Sequence, residues 1–177
     1  DDRAQIEAEW DELDGWVAEL DAPFFYVPGN HDYSNEAMAQ VWEERLGPDY
    51  YAFKYKGALF VVLNSALFDR EGVEGHGQRR GPWAEEQAAQ LAWLEETLAE
   101  HDEVRWTFLF MHRPYWREGF MRGDRDEEVS ATGPWPRFEG NQPPEWLRVE
   151  AMLDDRNYTA FAGHMHTYEY DGEMDGE

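Results

Sequence analysis

The chain has 177 residues, 42% of them hydrophobic and 16% aromatic, enough apolar area for one folded core and too much for a solvated disordered segment. No apolar run approaches the ~18 residues of a membrane-crossing helix, and zero cysteines remove disulfides, thiolate metal sites and cysteine nucleophiles. The formal net charge is −24 and Lys54 and Lys56 are the only lysines; no basic patch exists to displace counterions from nucleic acid, and a salt-rich environment is expected to screen the self-repulsion.

Residues 2–20 place Ile6, Trp10, Leu13, Val17 and Leu20 on one helical face, which predicts a surface helix with that stripe packed inward. The apolar run Phe24-Phe25-Tyr26-Val27, ended by Pro28-Gly29, predicts a buried strand meeting a turn. Ser34 suits an N-cap for a second helix to about Leu46, closed by Gly47-Pro48. Residues 50–55 and 58–63 are aromatic and β-branched runs split at Lys56-Gly57, the pattern of a hairpin. An irregular stretch over 64–82 leads to an amphipathic helix that starts near Pro82 and runs to about Glu100, with Ala84, Ala88, Leu91, Leu94 and Leu98 as its inward stripe. Residues 106–111 read as a buried strand, 145–155 as a short helix with Trp146, Val149, Met152 and Leu153 inward, and 158–162 as a last strand ending at Gly163. Between them, 114–144 shows no sustained period, as expected of a lid or a substrate-facing loop. This order favours α/β layering around a sheet, in one domain over residues 1–177 with no dividing linker.

Three polar clusters follow three of the predicted strands: Gly29-Asn30-His31-Asp32, His112-Arg113-Pro114, and Gly163-His164-Met165-His166. The carboxyl edge of a layered α/β sheet is where sites assemble, and imidazole and amide oxygen are suitable ligands for Zn, Mn or Fe. Each cluster also has an ordinary reading. Pro28-Gly29-Asn30 suits a β-turn, His112 suits a hydrogen-bonded structural histidine, and two histidines one apart converge only on a turn, because in a strand they face opposite ways.

In sequence order, G-N-H-D, a strand-end His and G-H-x-H resemble the pattern of the calcineurin-like metallophosphoesterases, and Gln90-Leu91-Ala92-Trp93-Leu94 resembles that family's Q-x-x-W-L helix. The resemblance implies a metallophosphoesterase-type β-sandwich flanked by helices. It also implies two divalent ions (Mn, Fe or Zn), with Asn30, His112 and His164 as ligands of one and His166 as a ligand of the other. His31 would protonate the leaving group, with Asp32 holding its ring, while hydroxide on the metals attacks the phosphorus of a phosphate monoester or diester. Substrate identity, the choice of metal, localisation and oligomeric state stay open.

The family's D-x-H and G-D-x-x-D motifs, which would supply the bridging aspartate, are missing upstream of Asn30. Gly123-Asp124 lies after G-N-H-D without the second aspartate, so it is no substitute. The expectation is therefore a fragment truncated before Asp1 and beyond Glu177, inactive or very weak alone. The alternative is a catalytically degenerate member that acts as a metal- or phosphate-binding module. Elsewhere the readings are ordinary: His76 and His101 as solvated histidines, Arg113 paired with a carboxylate, Tyr115, Trp116, Trp135 and Phe138 as packing residues, and the acidic runs 124–128 and 171–177 as solvated surface.

Overall fold

The computed structural model describes residues 2–33, 35–68, 83–116, 144–166, 168 and 170. In chain order these form α1 (Arg3–Val17), α2 (Glu36–Leu46), β1 (Tyr51–Tyr55), β2 (Ala58–Val62), a 3₁₀ turn (Ser65–Phe68), α3 (Trp83–Glu100), β3 (Trp106–Met111), α4 (Pro144–Leu153) and β4 (Tyr158–Ala162). The four strands make one mixed sheet in the order β1-β2-β3-β4, antiparallel between β1 and β2 and parallel thereafter. The fold is mixed α/β, a sheet flanked by helices. None of the described helices is long and apolar enough to cross a membrane.

The hairpin turns where Lys56-Gly57 predicts it. Both residues have positive φ, 50° and 78°, the requirement of a tight turn whose twist matches the strands it joins. Alternation then separates the sheet faces. Leu59, Val61, Leu109 and Met111 point to one side, where Leu91, Leu94 and Leu98 of α3 and Trp146, Val149 and Leu153 of α4 close over them in the main core. Within α3, Ala88 is exposed and Gln90 buried, because the buried stripe is centred near Leu94 and leaves Ala88 on its flank. Arg156 caps the end of α3, its guanidinium donating to the carbonyls of Leu98 and His101.

The opposite face carries a run of aromatic rings across all four strands. Phe53 stacks on Phe60 at 5.0 Å, Phe60 lies 6.4 Å from Phe110, and Phe110 stacks on Phe161 at 5.1 Å. At the β1 end, Phe25 continues the run, stacked on Phe53 at 4.5 Å.

α1 and α2 pack on each other through a smaller cluster of Tyr33, Ala39, Trp42 and Ala66, with Trp10, Tyr26 and Leu46 against it. Arg45 joins the helices by donating to Asp11 and Asp14 of α1 at 2.7 and 2.6 Å.

Three local expectations are corrected. Residues 24–27 form no strand, and Phe24 and Phe25 are 46% and 52% exposed. A strand exists only where a neighbour accepts its backbone groups. Among the described residues this segment has none, although Tyr51 Oη donates to its Tyr26 carbonyl at 2.7 Å. The cap of α2 is Asn35, whose side chain accepts from Met38 N at 3.0 Å, rather than Ser34, which lies outside the described residues. The inward stripe expected over 2–20 is shorter as well: α1 ends at Val17, Ile6 is its buried member, and Leu20 is exposed beyond the helix. His76, Trp135, Phe138 and both acidic runs also lie outside the described residues.

Candidate metal centre

Because β2, β3 and β4 run parallel, their carboxyl ends share one edge of the sheet. There Asn64-Ser65 follows β2, His112-Arg113 follows β3, and Gly163-His164-Met165-His166 follows β4. The loop Gly29-Asn30-His31-Asp32 reaches the same edge from the segment before α2. Three side chains from three distant stretches meet: His112 Nε2 lies 2.7 Å from Asn30 Oδ1 and 3.0 Å from His164 Nδ1, and His164 Nδ1 lies 3.2 Å from Asn30 Oδ1.

Adjacent ligand atoms at ~2.1 Å from a divalent ion sit about 3 Å apart, so this triangle of two imidazole nitrogens and an amide oxygen fits such an ion. Burial, reinforced by His164 and Arg113, pushes the pKa of His112 from 6.5 down to about 4. The ring is therefore neutral near pH 7, the form whose lone pair can ligate. Among the described residues no three His, Cys, Asp or Glu side chains gather as a metal-binding group; the convergent set depends on the amide of Asn30.

His164 reaches the set through a turn. Met165 N donates to the Gly163 carbonyl at 2.8 Å across His164, whose φ is 67°, a γ-turn of the rare, strained hand. His166 is also left-handed, at φ 55°. Two left-handed non-glycine residues with only Met165 between them mark a turn held in place by its surroundings, and Gly163 N anchors it by donating to the His112 carbonyl at 3.0 Å. His166 is exposed and near enough to disfavour charge on His112, as is His31. Among the described residues no hydrogen bond joins either to the three convergent side chains.

Asp32 is tied to its own loop. Its Oδ2 accepts from Gly29 N at 2.8 Å and its N donates to the Gly29 carbonyl at 3.2 Å. Burial raises the carboxyl pKa, opposed by the Gly29 hydrogen bond and by His31. Among the described residues its carboxylate makes no hydrogen bond to the His31 ring.

The calcineurin-like phosphoesterase family model matches residues 2–168. The chain belongs to the calcineurin-like phosphoesterases. Among curated relatives, serine/threonine-protein phosphatase CPPED1 of Rattus norvegicus is 31% identical over 112 residues, 61% of this chain and 33% of that protein. The CPPED1 of Homo sapiens is 32% identical over 107 residues, 58% of this chain and 31% of its own length, and that of Bos taurus 29% over 121 residues, 66% and 35%. The chain thus spans about a third of the length of the relatives it matches. No solved structure matches it.

In this calcineurin-like phosphoesterase the site rests on a buried polar layer that sequence reasoning missed. Gln90 of α3 accepts from Asn64 N at 2.7 Å and donates to its carbonyl at 3.2 Å, while Asn64 Nδ2 donates to Asp49 at 2.6 Å. Next to it, Ser65 Oγ accepts from Arg113 N at 3.1 Å and the Ser65 carbonyl accepts from Tyr115 Oη at 2.7 Å. These bonds fix the strand end that carries His112 against the end of β2. The available signal was Gln90 itself, an amide on an otherwise apolar helix face, which must find partners there. Tyr115 is fully buried and Trp116 packs 5.5 Å from Trp146, as the packing reading expects.

Proposed function

We propose that the protein is a metal-dependent phosphohydrolase acting on phosphate esters, with phosphoserine or phosphothreonine of a protein as the substrate class. The observation that carries this reading is the convergence of Asn30, His112 and His164. The family membership supports ester hydrolysis, and the printed names of the relatives support the substrate class. In this reading Asn30, His112 and His164 hold one divalent ion (Mn, Fe or Zn) and His166 contributes to a second.

When bound, the ions supply Lewis-acid stabilisation of the phosphoryl oxygens and a water that is nucleophilic at neutral pH. The chain's own residues do the rest. Burial keeps His112 unprotonated and in place, and the γ-turn aims His164. His31, exposed at the rim of the site, donates a proton to the departing oxygen, and Asp32 fixes the backbone loop that presents it. The D-x-H and G-D-x-x-D motifs do not occur in these 177 residues, so this chain alone is expected to turn over slowly or not at all.

The test has two parts. Calorimetry should find Mn²⁺ or Zn²⁺ bound by this chain and the binding lost in Asn30→Ala and His112→Ala. Hydrolysis of p-nitrophenyl phosphate should then rise when the encoded sequence upstream of Asp1 is included, and fall by about 10²-fold or more in His31→Ala of that longer chain. Metal binding with no hydrolysis in either chain would instead make the protein a binding module.

A further inference from the structure

Beside the convergent ligands, α1, α2 and the Gly29–Asp32 loop line a half-open cavity of about 160 Å³. Ile6, Trp10 and Leu13 of α1 and Met38 of α2 give it apolar walls, His31 and Asp32 form the side nearest the metal centre, and Glu9 adds a second carboxyl group. The volume equals that of about five waters at ~30 Å³ each, the scale of one long side chain. The walls are firmly held. Trp10 is braced edge-to-face by Trp42 and Tyr26, both at 5.7 Å, and the two helices are joined by Arg45 to Asp11 and Asp14.

We propose that this cavity receives the side chain of a lysine or arginine next to the phosphorylated residue of the substrate. The inference rests on the phosphoester reading above, because His31 belongs both to the cavity wall and to the leaving-group side of the site. Charge complementarity selects the occupant. A long basic side chain has an apolar stem that packs on Ile6, Leu13 and Met38, and a cationic head that suits both an indole and a carboxylate. An acidic side chain would meet Glu9 and Asp32 inside a chain of net charge −24 and is excluded.

The experiment measures binding of a fluorescent phosphoserine peptide with arginine beside the phosphoserine, and of the same peptide with norleucine there. Each is compared with its unphosphorylated form, with Mn²⁺ present and at a salt concentration where circular dichroism shows the chain folded. The arginine phosphopeptide should bind about tenfold tighter than the norleucine one. Glu9→Gln should reduce that ratio below about threefold and leave the norleucine peptide unchanged. In 5-fluorotryptophan-labelled protein, the resonance assigned to Trp10 through Trp10→Phe should shift with the arginine peptide only. A ratio near one, or a ratio untouched by Glu9→Gln with the Trp10 signal still, overturns the proposal while tighter binding of phosphorylated peptides keeps the phosphoester reading. Equal binding of phosphorylated and unphosphorylated arginine peptides, with the Glu9 dependence intact, overturns the phosphoester reading and keeps the basic-side-chain pocket.

Discussion

Two glycines flank His112 and should respond to alanine in opposite ways. A Cβ placed on Gly29 would stand 3.1 Å from Asp32 Oδ2 and 3.2 and 3.4 Å from Nδ1 and Cε1 of His112. On Gly163 its nearest neighbours would be His112 Nδ1 at 3.7 Å and the His112 carbonyl at 3.9 Å, ordinary contact distances. Neither glycine has positive φ, so the difference is one of space and not of backbone strain. At Gly29 nothing can retreat without loss. The Asp32 carboxylate is held at 2.8 Å by the backbone of Gly29 itself, and moving the His112 ring by a few tenths of an ångström opens a ligand triangle whose edges are 2.7 to 3.2 Å. Overpacking of this kind costs about 1–2 kcal/mol, equivalent to about 5- to 30-fold weaker ion binding. Calorimetric titration with Mn²⁺ should therefore show Gly29→Ala weakened by that factor and Gly163→Ala within about twofold of the parent. Equal affinities in the two variants would refute the view that close contact with Gly29 sets the position of His112.

Gln90→Leu leaves the Asn64 N–H and carbonyl buried without their amide partner, and should lower stability by about 2 kcal/mol in urea titration, with metal binding weakened as the strand end loosens. In the metal-free chain, His112 accepts a proton only near pH 4 when folded and near 6.5 when unfolded, so the unfolded chain binds more protons between those values. Stability should be full above pH 6.5 and fall by up to about 3 kcal/mol toward pH 4, and His112→Asn should flatten that slope. Asp32 acts in the opposite sense. Its raised carboxyl pKa favours the fold in acid, a contribution lost as pH climbs through the folded value, so it reduces the slope without reversing it unless its shift rivals that of His112. Because the net charge is −24, the melting temperature should climb with KCl as the repulsion is screened; a flat response would show that the charge is already balanced within the fold.

Elements were legible where the cause is local. Gly57 announced its turn because glycine accepts positive φ without a Cβ penalty, and Lys56 is carried into the same left-handed region beside it; β3 was legible from five apolar residues and one threonine closed by His112. Phe24 to Val27 has the same composition as a buried strand, yet strand formation is decided by a neighbour that the segment's own sequence does not specify. The convergent ligands divide along the same line. Glycine before His164 signalled a turn, while nothing in periodicity says that residues 30, 112 and 164 meet; that link came from the resemblance to the phosphoesterases. The Gln90–Asn64 pair, 26 residues apart, was illegible for the same reason, although the buried amide should have prompted a search for its partner.

The aromatic face of the sheet and the charge of the chain act against each other. β2 and β3 are apolar on both faces, the mark of strands covered on both sides. α3 and α4 cover one face, while on the other Trp106 and Phe161 remain 38% and 48% exposed. Aromatic rings left in water favour association with another apolar surface. The exposed acidic residues oppose that association by repulsion between copies, and the repulsion weakens with added salt over the same range in which the fold itself gains stability. Screening thus improves the conformational stability of each molecule while it removes the main barrier between the aromatic faces of two. By this reasoning the acidity that burdens the isolated fold also opposes contact between copies of this sheet face.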